Sequence, residues 1–571
     1  MTDTAWPALS FAQVRGALTA PGAPFEIQEV EVRGRTVKVF RDAPPTLLHT
    51  FIFSRQHGEK IFLVHGDERV SFEAFSRAVL ALAARLKADG IQKGDRVAIA
   101  MRNVPEWPVA FFATTLIGGI AVPLNAWWTG EELAYALKDS GSRALIADAD
   151  RLARLTDLNA LPALTNLYVS RASALTDAVK LEDVIGAPND WASLPEGELP
   201  NVPLDPEDDA TIFYTSGTSG RPKGALGTHR SNGTNLHAIA WSQISATLRR
   251  GETPVDPITG PQKVSLMSIP FFHTTGCQTV MVASLASGTK IVLMRRFDAE
   301  EALTLIETEK VTSAGGVPTI AWQLLQHPTF AQHDTSSLEN MAYGGAPAAP
   351  ELIQRLRAGA PKALPGTGWG MTETSATVTH HTGEDYVRRP DSCGQVIPIC
   401  ELKIIDADGN TLPIGEVGEL CAYGPNIVKG YWNKPEETAR TFVDGWVRTG
   451  DIARLDEEGF CYIIDRAKDL IIRGGENIAS VEVENALFEH PGVADCAVVG
   501  LPHPVLGEIP AALIVPVEGA AIDEAALRAH CADRLAGFKV PVQFAFQSEP
   551  LPRNAAGKVL KPLVRATLLG G

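Results

Sequence analysis

The chain lacks a disulfide framework: its seven cysteines include no CxxC pair, and their odd number leaves no complete pairing. It also lacks a membrane-spanning run. The most apolar stretch, Val109 to Leu124, is shorter than the roughly 20 residues a bilayer helix needs and is broken by Gly118, Gly119 and Pro123. It is expected to be a buried helix-to-strand segment, with no integral membrane segment in the chain. The N-terminus carries Asp3 and has no basic stretch leading into an apolar one, so no secretory signal is read there and a reducing cytoplasm is the expected compartment. Positive charge is scarce as well. The 51 Lys and Arg against 67 Asp and Glu give a net charge of -16, which repels a phosphate backbone and excludes nucleic acid as an expected partner. A bound nucleotide would have to be held by backbone dipoles and a few placed cations. There is no internal repeat and no low-complexity tract.

What is present over the 571 residues is the composition of a globular chain of more than one domain. Phe72, Phe75, Val79, Leu82 and Leu86 recur at spacings of three and four between Ser71 and Lys87, with Gly90 beyond, which predicts an amphipathic helix. A strand at 97–101, a helix near 107–116, a strand at 120–124, a helix opened by the Thr129/Glu132 capping box and a strand at 143–147 follow. Alternating strands and helices imply parallel pairing through crossovers, hence an α/β fold with parallel-rich sheets. From about residue 470 a smaller pattern restarts: a helix at 480–489, strands at 494–500 and 511–517, a helix at 523–535 and a strand at 543–546. It predicts a separate small α+β domain. The polar stretch Arg249 to Gln262 reads as an insertion without legible chemistry.

The most informative segment is Thr211-Ile-Phe-Tyr-Thr-Ser-Gly-Thr-Ser-Gly-Arg-Pro-Lys-Gly224. A β-branched and aromatic strand runs into hydroxyls and glycines and ends on a lysine. Gly217, Gly220 and Gly224 allow successive N–H groups to point inward; Thr215, Ser216, Thr218 and Ser219 add hydroxyls, and Lys223 adds a point charge. Such a loop can wrap an oligophosphate. It is not the common P-loop, because Lys223 lies between Pro222 and Gly224 rather than in a Gly-Lys-Ser/Thr ending.

This segment resembles the YTSGTTGxPKG signature of the adenylate-forming superfamily, which includes acyl-CoA synthetases, luciferases and peptide-synthetase adenylation domains. Ser219 stands where threonine is usual. Other segments agree in the family's order. Pro270-Phe-Phe-His273 is similar to the motif whose histidine lies beside the acyl carboxylate; alone, His273 would read as a core residue. Tyr343-Gly344-Gly345-Ala346-Pro347 resembles the segment lining the adenine and acyl pockets. Gly368-Trp369-Gly370-Met371-Thr372-Glu373 is similar to GYGxTE, which implies Trp369 against adenine, Thr372 on phosphate and Glu373 on Mg²⁺. Mg²⁺ takes one or two protein carboxylates and completes its octahedron with substrate phosphates and water. Asp451, closing Gly445-Trp446-Val447-Arg448-Thr449-Gly450-Asp451, resembles the aspartate that accepts both ribose hydroxyls, as two carboxylate oxygens can. Asp465-Arg466-Ala467-Lys468 looks like the interdomain hinge, with Arg466 reaching the ribose and Lys468 as pivot. Gly474 and Gly475 would let a pantetheine arm pass close to backbone; without the resemblance they read as a hairpin turn. Pro552-Arg-Asn-Ala-Ala-Gly-Lys558 is similar to the PRxxxGK loop, whose lysine is catalytic.

The resemblance, strongest to acyl-CoA synthetases, covers roughly residues 60 to 565. It implies a large multi-subdomain N-terminal domain at 1–464, a hinge at 465–469 and a small mobile C-terminal domain at 470–571. The implied reaction takes ATP, Mg²⁺ and coenzyme A. A carboxylic acid is converted to its acyl-adenylate with loss of pyrophosphate, then to the thioester with loss of AMP. Lys558, His273 and Lys468 are the catalytic candidates. His273, Gly276, Gly316, Tyr343, Gly344 and Gly345 are candidates for the acyl pocket. Amino-acid-activating relatives place an aspartate where this chain has His273, so an uncharged acid is expected. A medium or long fatty acid, or an aryl-substituted acid, fits glycine-lined space better than acetate. Competing readings are an acyl-adenylate ligase that loads a carrier protein, a luciferase-like oxygenase, and a nucleotide-binding regulator without catalysis. An oligomer is compatible with the sequence. The first 45 residues lie outside the resemblance.

Overall fold

The computed structural model describes residues 6–173, 177–215, 221–345, 348–554 and 557–570. The predicted elements form with shifts of one to three residues at most of their ends. Ser71 caps helix Phe72–Ala88 by accepting from the N–H of Ala74, and the Thr129/Glu132 capping box opens helix Gly130–Ser140. Strands Arg96–Ala100, Ile120–Pro123 and Ala144–Asp148 pair in parallel. Every residue of helix Glu106–Leu116 is buried, which places the Val109 to Leu124 stretch in the core of the fold. Among the described residues no helix is long and apolar enough to cross a membrane.

Two large sheets carry the chain up to Arg466. Among the described residues one has seven strands, all parallel except the edge strand Gly224–Thr228. The other has fourteen. Its parallel half runs through Ile61–His65, Lys290–Leu293, Val264–Met267, Ser313–Gly316, Asn340–Gly344 and Leu364–Gly368, and it continues in antiparallel strands to Glu401–Ile405. From Ile471 a separate five-stranded sheet forms, built on the long hairpin Val493–His503/Gly507–Pro516 with Gln543–Phe546 added in parallel. Three helices accompany it: Ser480–Phe488, Glu524–Ala532 and Lys561–Leu568. The result is α/β with a smaller α+β unit at the end.

The smaller unit touches the larger body at specific points. Phe488 stacks on Trp322 with centroids 5.9 Å apart. Asp465, at the end of strand Phe460–Arg466, accepts from both the N–H and the hydroxyl of Ser480, at 2.6 and 2.7 Å. Gly557 lies so close to Val317 that a Cβ there would be 2.6 Å from its methyl group.

Two regions differ from the sequence reading. Arg249 is not in a polar insertion. It is the last residue of helix His229–Arg249 and forms a buried two-pronged ion pair with Asp385, 2.6 Å on each prong. The first residues, unassigned above, are docked structure. A helix spans Phe11–Thr19, and the hairpin Ile27–Val32/Arg35–Phe40 turns at Arg33 and Gly34, both at positive φ. Arg33 donates to the carbonyls of Ile427 and Val428 at 2.9 and 3.1 Å.

Candidate active site

Several of the described candidates come together where the antiparallel half of the large sheet meets the smaller unit. Asp451 and Arg466 face each other as a cross-strand pair, with Arg466 Nε 3.2 Å from Asp451 Oδ1. The indole N–H of Trp369 donates to Asp451 Oδ2 at 2.8 Å. Trp369 thus does more than offer a flat face: its N–H fixes the carboxylate that the resemblance assigns to the ribose.

Lys558 arrives from the C-terminal end of the chain. At its base Asn554 N–H donates to the Lys558 carbonyl and Lys558 N–H donates to Asn554 Oδ1, each at 2.9 Å. Arg553 ties the loop down by donating to Asp495 and to the Gly557 carbonyl. The side chain comes within electrostatic reach of Asp451, Arg466, Lys468 and His273. Burial, reinforced by the neighbouring Arg466 and Lys468 cations, pulls its ammonium down to about 7. His273 is lowered to about 4, first by burial and then by Lys558. Its Nδ1 accepts the N–H of Thr275, so the neutral ring presents Nε2 as donor. Lys468 is itself lowered by burial, which its neighbour Asp469 opposes.

The depressed lysine gives a linkage prediction. At about pH 8 the empty site holds Lys558 mostly neutral, whereas a bound triphosphate favours the ammonium. Binding should therefore take up close to about one proton per ATP. Calorimetry of ATP binding in buffers of different ionisation enthalpy reads this uptake, and Lys558→Met should abolish it. Unchanged uptake in that variant would place the proton elsewhere.

Two segments carry the residues that the resemblance assigns to phosphate and metal. Thr215 N–H donates to the Lys223 carbonyl at 2.8 Å, closing the base of the hydroxyl-rich loop. Ser216, Gly217, Thr218, Ser219 and Gly220 lie outside the described residues, as does Ala346. Opposite, Gly370 and Met371 pair with Thr377 and Ala376 so closely that a Cβ on Gly370 would sit 1.5 Å from the Ala376 carbonyl. Thr372–Thr374 is a single 3₁₀ turn holding Glu373, which is 6% exposed. Burial raises the Glu373 carboxyl, opposed by a hydrogen bond from Tyr431, by its own N–H and by the charges of Lys223 and Arg466. Among the described residues no group of three His, Cys, Asp or Glu could hold a metal alone. A single carboxylate near two cations fits Mg²⁺ that arrives on the phosphates of ATP.

Two supports were invisible in the sequence motifs. Ser375 and Ala376 both hold positive φ, 49° and 88°, costly for residues with a Cβ. Asn235 pins them, donating to the Ser375 carbonyl and accepting the Thr377 N–H at 2.9 Å. Tyr431 is the second. Its signal was Gly430-Tyr431-Trp432, a glycine followed by two aromatics between polar neighbours, which carries no chemistry until its partners are seen.

The acyl-pocket candidates divide. A Cβ on Gly276 would fall 2.2 Å from the Pro270 carbonyl, and one on Gly316 would fall 2.8 Å from Ile320, so these two serve close packing. Among the described residues, Gly344 has only one atom within ordinary contact, and Gly345, at φ 75°, has none within 4 Å. No described residue crowds either of them. Tyr343 is 3% exposed and lies edge-on to Tyr386, in the core on the face of its strand opposite exposed Ala342. It supports the neighbouring glycines from behind. Gly474 and Gly475 form the two-residue turn between strands Ile471–Arg473 and Glu476–Ile478, with φ of 60° and 95°.

Residues 52–432 match the family model described as AMP-binding enzyme, and residues 482–558 match the AMP-binding enzyme C-terminal domain. A feruloyl-CoA synthase of Amycolatopsis sp is 34% identical over 502 residues, covering 88% of this chain and 94% of that protein. A long-chain-fatty-acid–CoA ligase of Bacillus subtilis is 35% identical over 518 residues, covering 86% and 89%. Among solved structures, the anthranilate CoA ligase AuaEII in complex with anthranoyl-AMP aligns with a TM-score of 0.79 at 25% identity, over 91% of this chain and 97% of that one.

Proposed function

We infer from a chain that belongs to the AMP-binding enzyme family how its side chains divide one reaction. The chain is an ATP-dependent, AMP-forming acid–CoA ligase that uses Mg²⁺. The chemistry explains the two steps. A carboxylate resists a thiol because oxide would have to leave. The substrate oxygen therefore attacks the α-phosphorus of ATP and expels pyrophosphate, and the acyl carbon is then attacked by the thiolate of coenzyme A with AMP leaving. In the first step the protein chiefly positions reactants and neutralises charge.

One observation carries the assignment of roles. Lys558, far from them in sequence, stands among His273, Asp451, Arg466 and Lys468. In this reading Asp451, braced by Trp369 and Arg466, accepts the ribose hydroxyls, and Trp369 also offers its ring to adenine. Gly344, Gly345, Ala346, Gly370 and Met371 shape the nucleotide and acyl walls. The loop 215–220, Lys223 and Thr372 hold the phosphates, and Glu373 would hold Mg²⁺, which supplies charge neutralisation on the phosphates when bound. Lys558 meets the charge that develops at the α-phosphate. Neutral His273 donates from Nε2 beside the acyl carboxylate. Residues 465–469 are a hinge between a body at 1–464 and a mobile unit at 470–571, and Gly474–Gly475 belongs to the thioester-forming arrangement. The acid is a medium or long fatty acid or an aryl-substituted acid: relatives named for both kinds align over most of the chain, and no described side chain crowds Gly344–Gly345. Seven free thiols favour the cytoplasm.

ATP–pyrophosphate exchange across a panel of fatty, cinnamic, benzoic and amino acids, followed by direct detection of the CoA thioester, tests this reading. Exchange with fatty or aryl acids and their thioesters are the expected products. Exchange without thioester would transfer the assignment to a ligase that serves another acceptor.

A further inference from the structure

Strand Gly224–Thr228 leaves the phosphate loop with one edge to fill, and residues 429–432 fill it. Lys429 N–H donates to the Leu226 carbonyl at 2.8 Å, Leu226 N–H to the Gly430 carbonyl at 2.9 Å, and Trp432 N–H to the Gly224 carbonyl at 2.7 Å. Gly430 makes the approach feasible: at φ 144° a Cβ there would lie 2.4 Å from the Thr438 methyl. Tyr431 N–H donates to Thr438 Oγ1 at 2.9 Å, so its backbone is held on both flanks. From this fixed base its side chain, 9% exposed, reaches both halves of the phosphate site. The hydroxyl donates to Glu373 Oε1 at 2.6 Å, and the Lys223 ammonium lies 4.6 Å over the ring centroid.

The placement solves an electrostatic problem. A buried carboxylate and a lysine next to a phosphate site attract each other, and a direct ion pair would consume both charges before ATP arrived. Among the described residues no ion pair joins Lys223 to Glu373, although the Lys223 charge opposes the upward shift of the Glu373 carboxyl. The tyrosine stands between them. A hydroxyl donor satisfies the carboxylate without cancelling its charge, and an aromatic face holds an ammonium without neutralising it.

We propose that Tyr431 is a positioning residue for adenylate formation: its hydroxyl holds the Glu373 carboxylate in place as the group that would ligate Mg²⁺ arriving with ATP, while its ring holds Lys223 apart as a separate cation. This rests on reading Glu373 and Lys223 as groups of the ATP site. The test uses the full chain as wild type, Tyr431→Phe, Tyr431→Leu, Glu373→Gln and the Tyr431→Phe/Glu373→Gln double variant. ATP binding is measured by calorimetry with and without Mg²⁺, and exchange is measured against free Mg²⁺. Tyr431→Phe keeps the ring and should raise the Mg²⁺ needed for half-maximal exchange by about tenfold, as expected for a lost hydrogen bond to a charged group. Its Mg²⁺-free ATP binding should be unchanged. Tyr431→Leu should weaken that binding as well. In the Glu373→Gln background, adding Tyr431→Phe should change the Mg²⁺ dependence by less than about twofold, because the hydroxyl acts through the carboxylate. Additive effects, or an unaltered Mg²⁺ dependence in Tyr431→Phe while Glu373→Gln shifts it, would overturn the proposal alone. A Glu373→Gln enzyme with wild-type Mg²⁺ dependence would instead overturn the metal assignment on which the proposal stands.

Discussion

Lys558→Ala should split the reaction into its halves. ATP–pyrophosphate exchange is expected to fall by about 10²- to 10³-fold, the usual loss when one preorganised group facing developing charge is removed. Supplied acyl-adenylate and coenzyme A should still give thioester at close to the wild-type rate. The asymmetry follows from where the lysine stands and how it is held. Its ammonium belongs to the cluster of Asp451, Arg466 and His273, which we propose faces the nucleotide. The loop that carries it is secured by Asn554 and by the Arg553–Asp495 ion pair, neither of which involves the lysine side chain. Truncation therefore removes a charge and leaves those contacts standing, so the melting temperature should hardly move. Equal loss of both half-reactions would refute the division of labour.

Lys468→Pro should produce the opposite asymmetry. If residue 468 is the pivot, its torsions must change between the two half-reactions, and proline fixes φ near −65° while steering Ala467 away from the helical region. In the observed arrangement of the smaller unit Lys558 already stands beside Asp451 and Arg466, the proposed nucleotide residues, so exchange should persist. Thioester formation should fall by about two orders of magnitude, the scale on which a misplaced reacting group is felt, and enzyme-bound acyl-adenylate should accumulate. Mass spectrometry of the quenched enzyme detects it. A variant that makes thioester normally would remove residue 468 as the pivot. The swing would also have to part Phe488 from Trp322, Gly557 from Val317 and Ser480 from Asp465, which gives the closed arrangement a definite set of contacts to release.

Local rules were legible because their partners are near in sequence. The Ser71 cap, the Thr129/Glu132 box and the turn at Gly474–Gly475 depend on residues at most a few positions apart, and each forms. Long-range partners were not. Arg249 looked like the start of a polar insertion because its carboxylate, Asp385, is 136 positions away. The glycines show a second limit. Sequence marks the missing side chain but not what fills the space, and at Gly276 and Gly316 the answer is protein while at Gly344 and Gly345 no described residue crowds in. Tyr343 adds a third. In strand Asn340–Gly344 successive side chains alternate faces, so the residue beside Gly344 points away from it. The motifs named the residues that converge, but the groups that hold them, Asn235 and Tyr431, carry no signature of their own.

The amino-terminal hairpin alters what counts as a minimal enzyme. The family match begins at residue 52, yet Arg33 grasps the carbonyls of Ile427 and Val428, and the Val428 N–H is itself bonded to the Glu373 carbonyl at 3.0 Å. A boundary drawn by homology would cut away a brace only two hydrogen bonds from the residue that carries the proposed metal carboxylate. The unmatched leader is thus part of the machine's chassis, and trimming it for convenience would loosen the catalytic floor from behind.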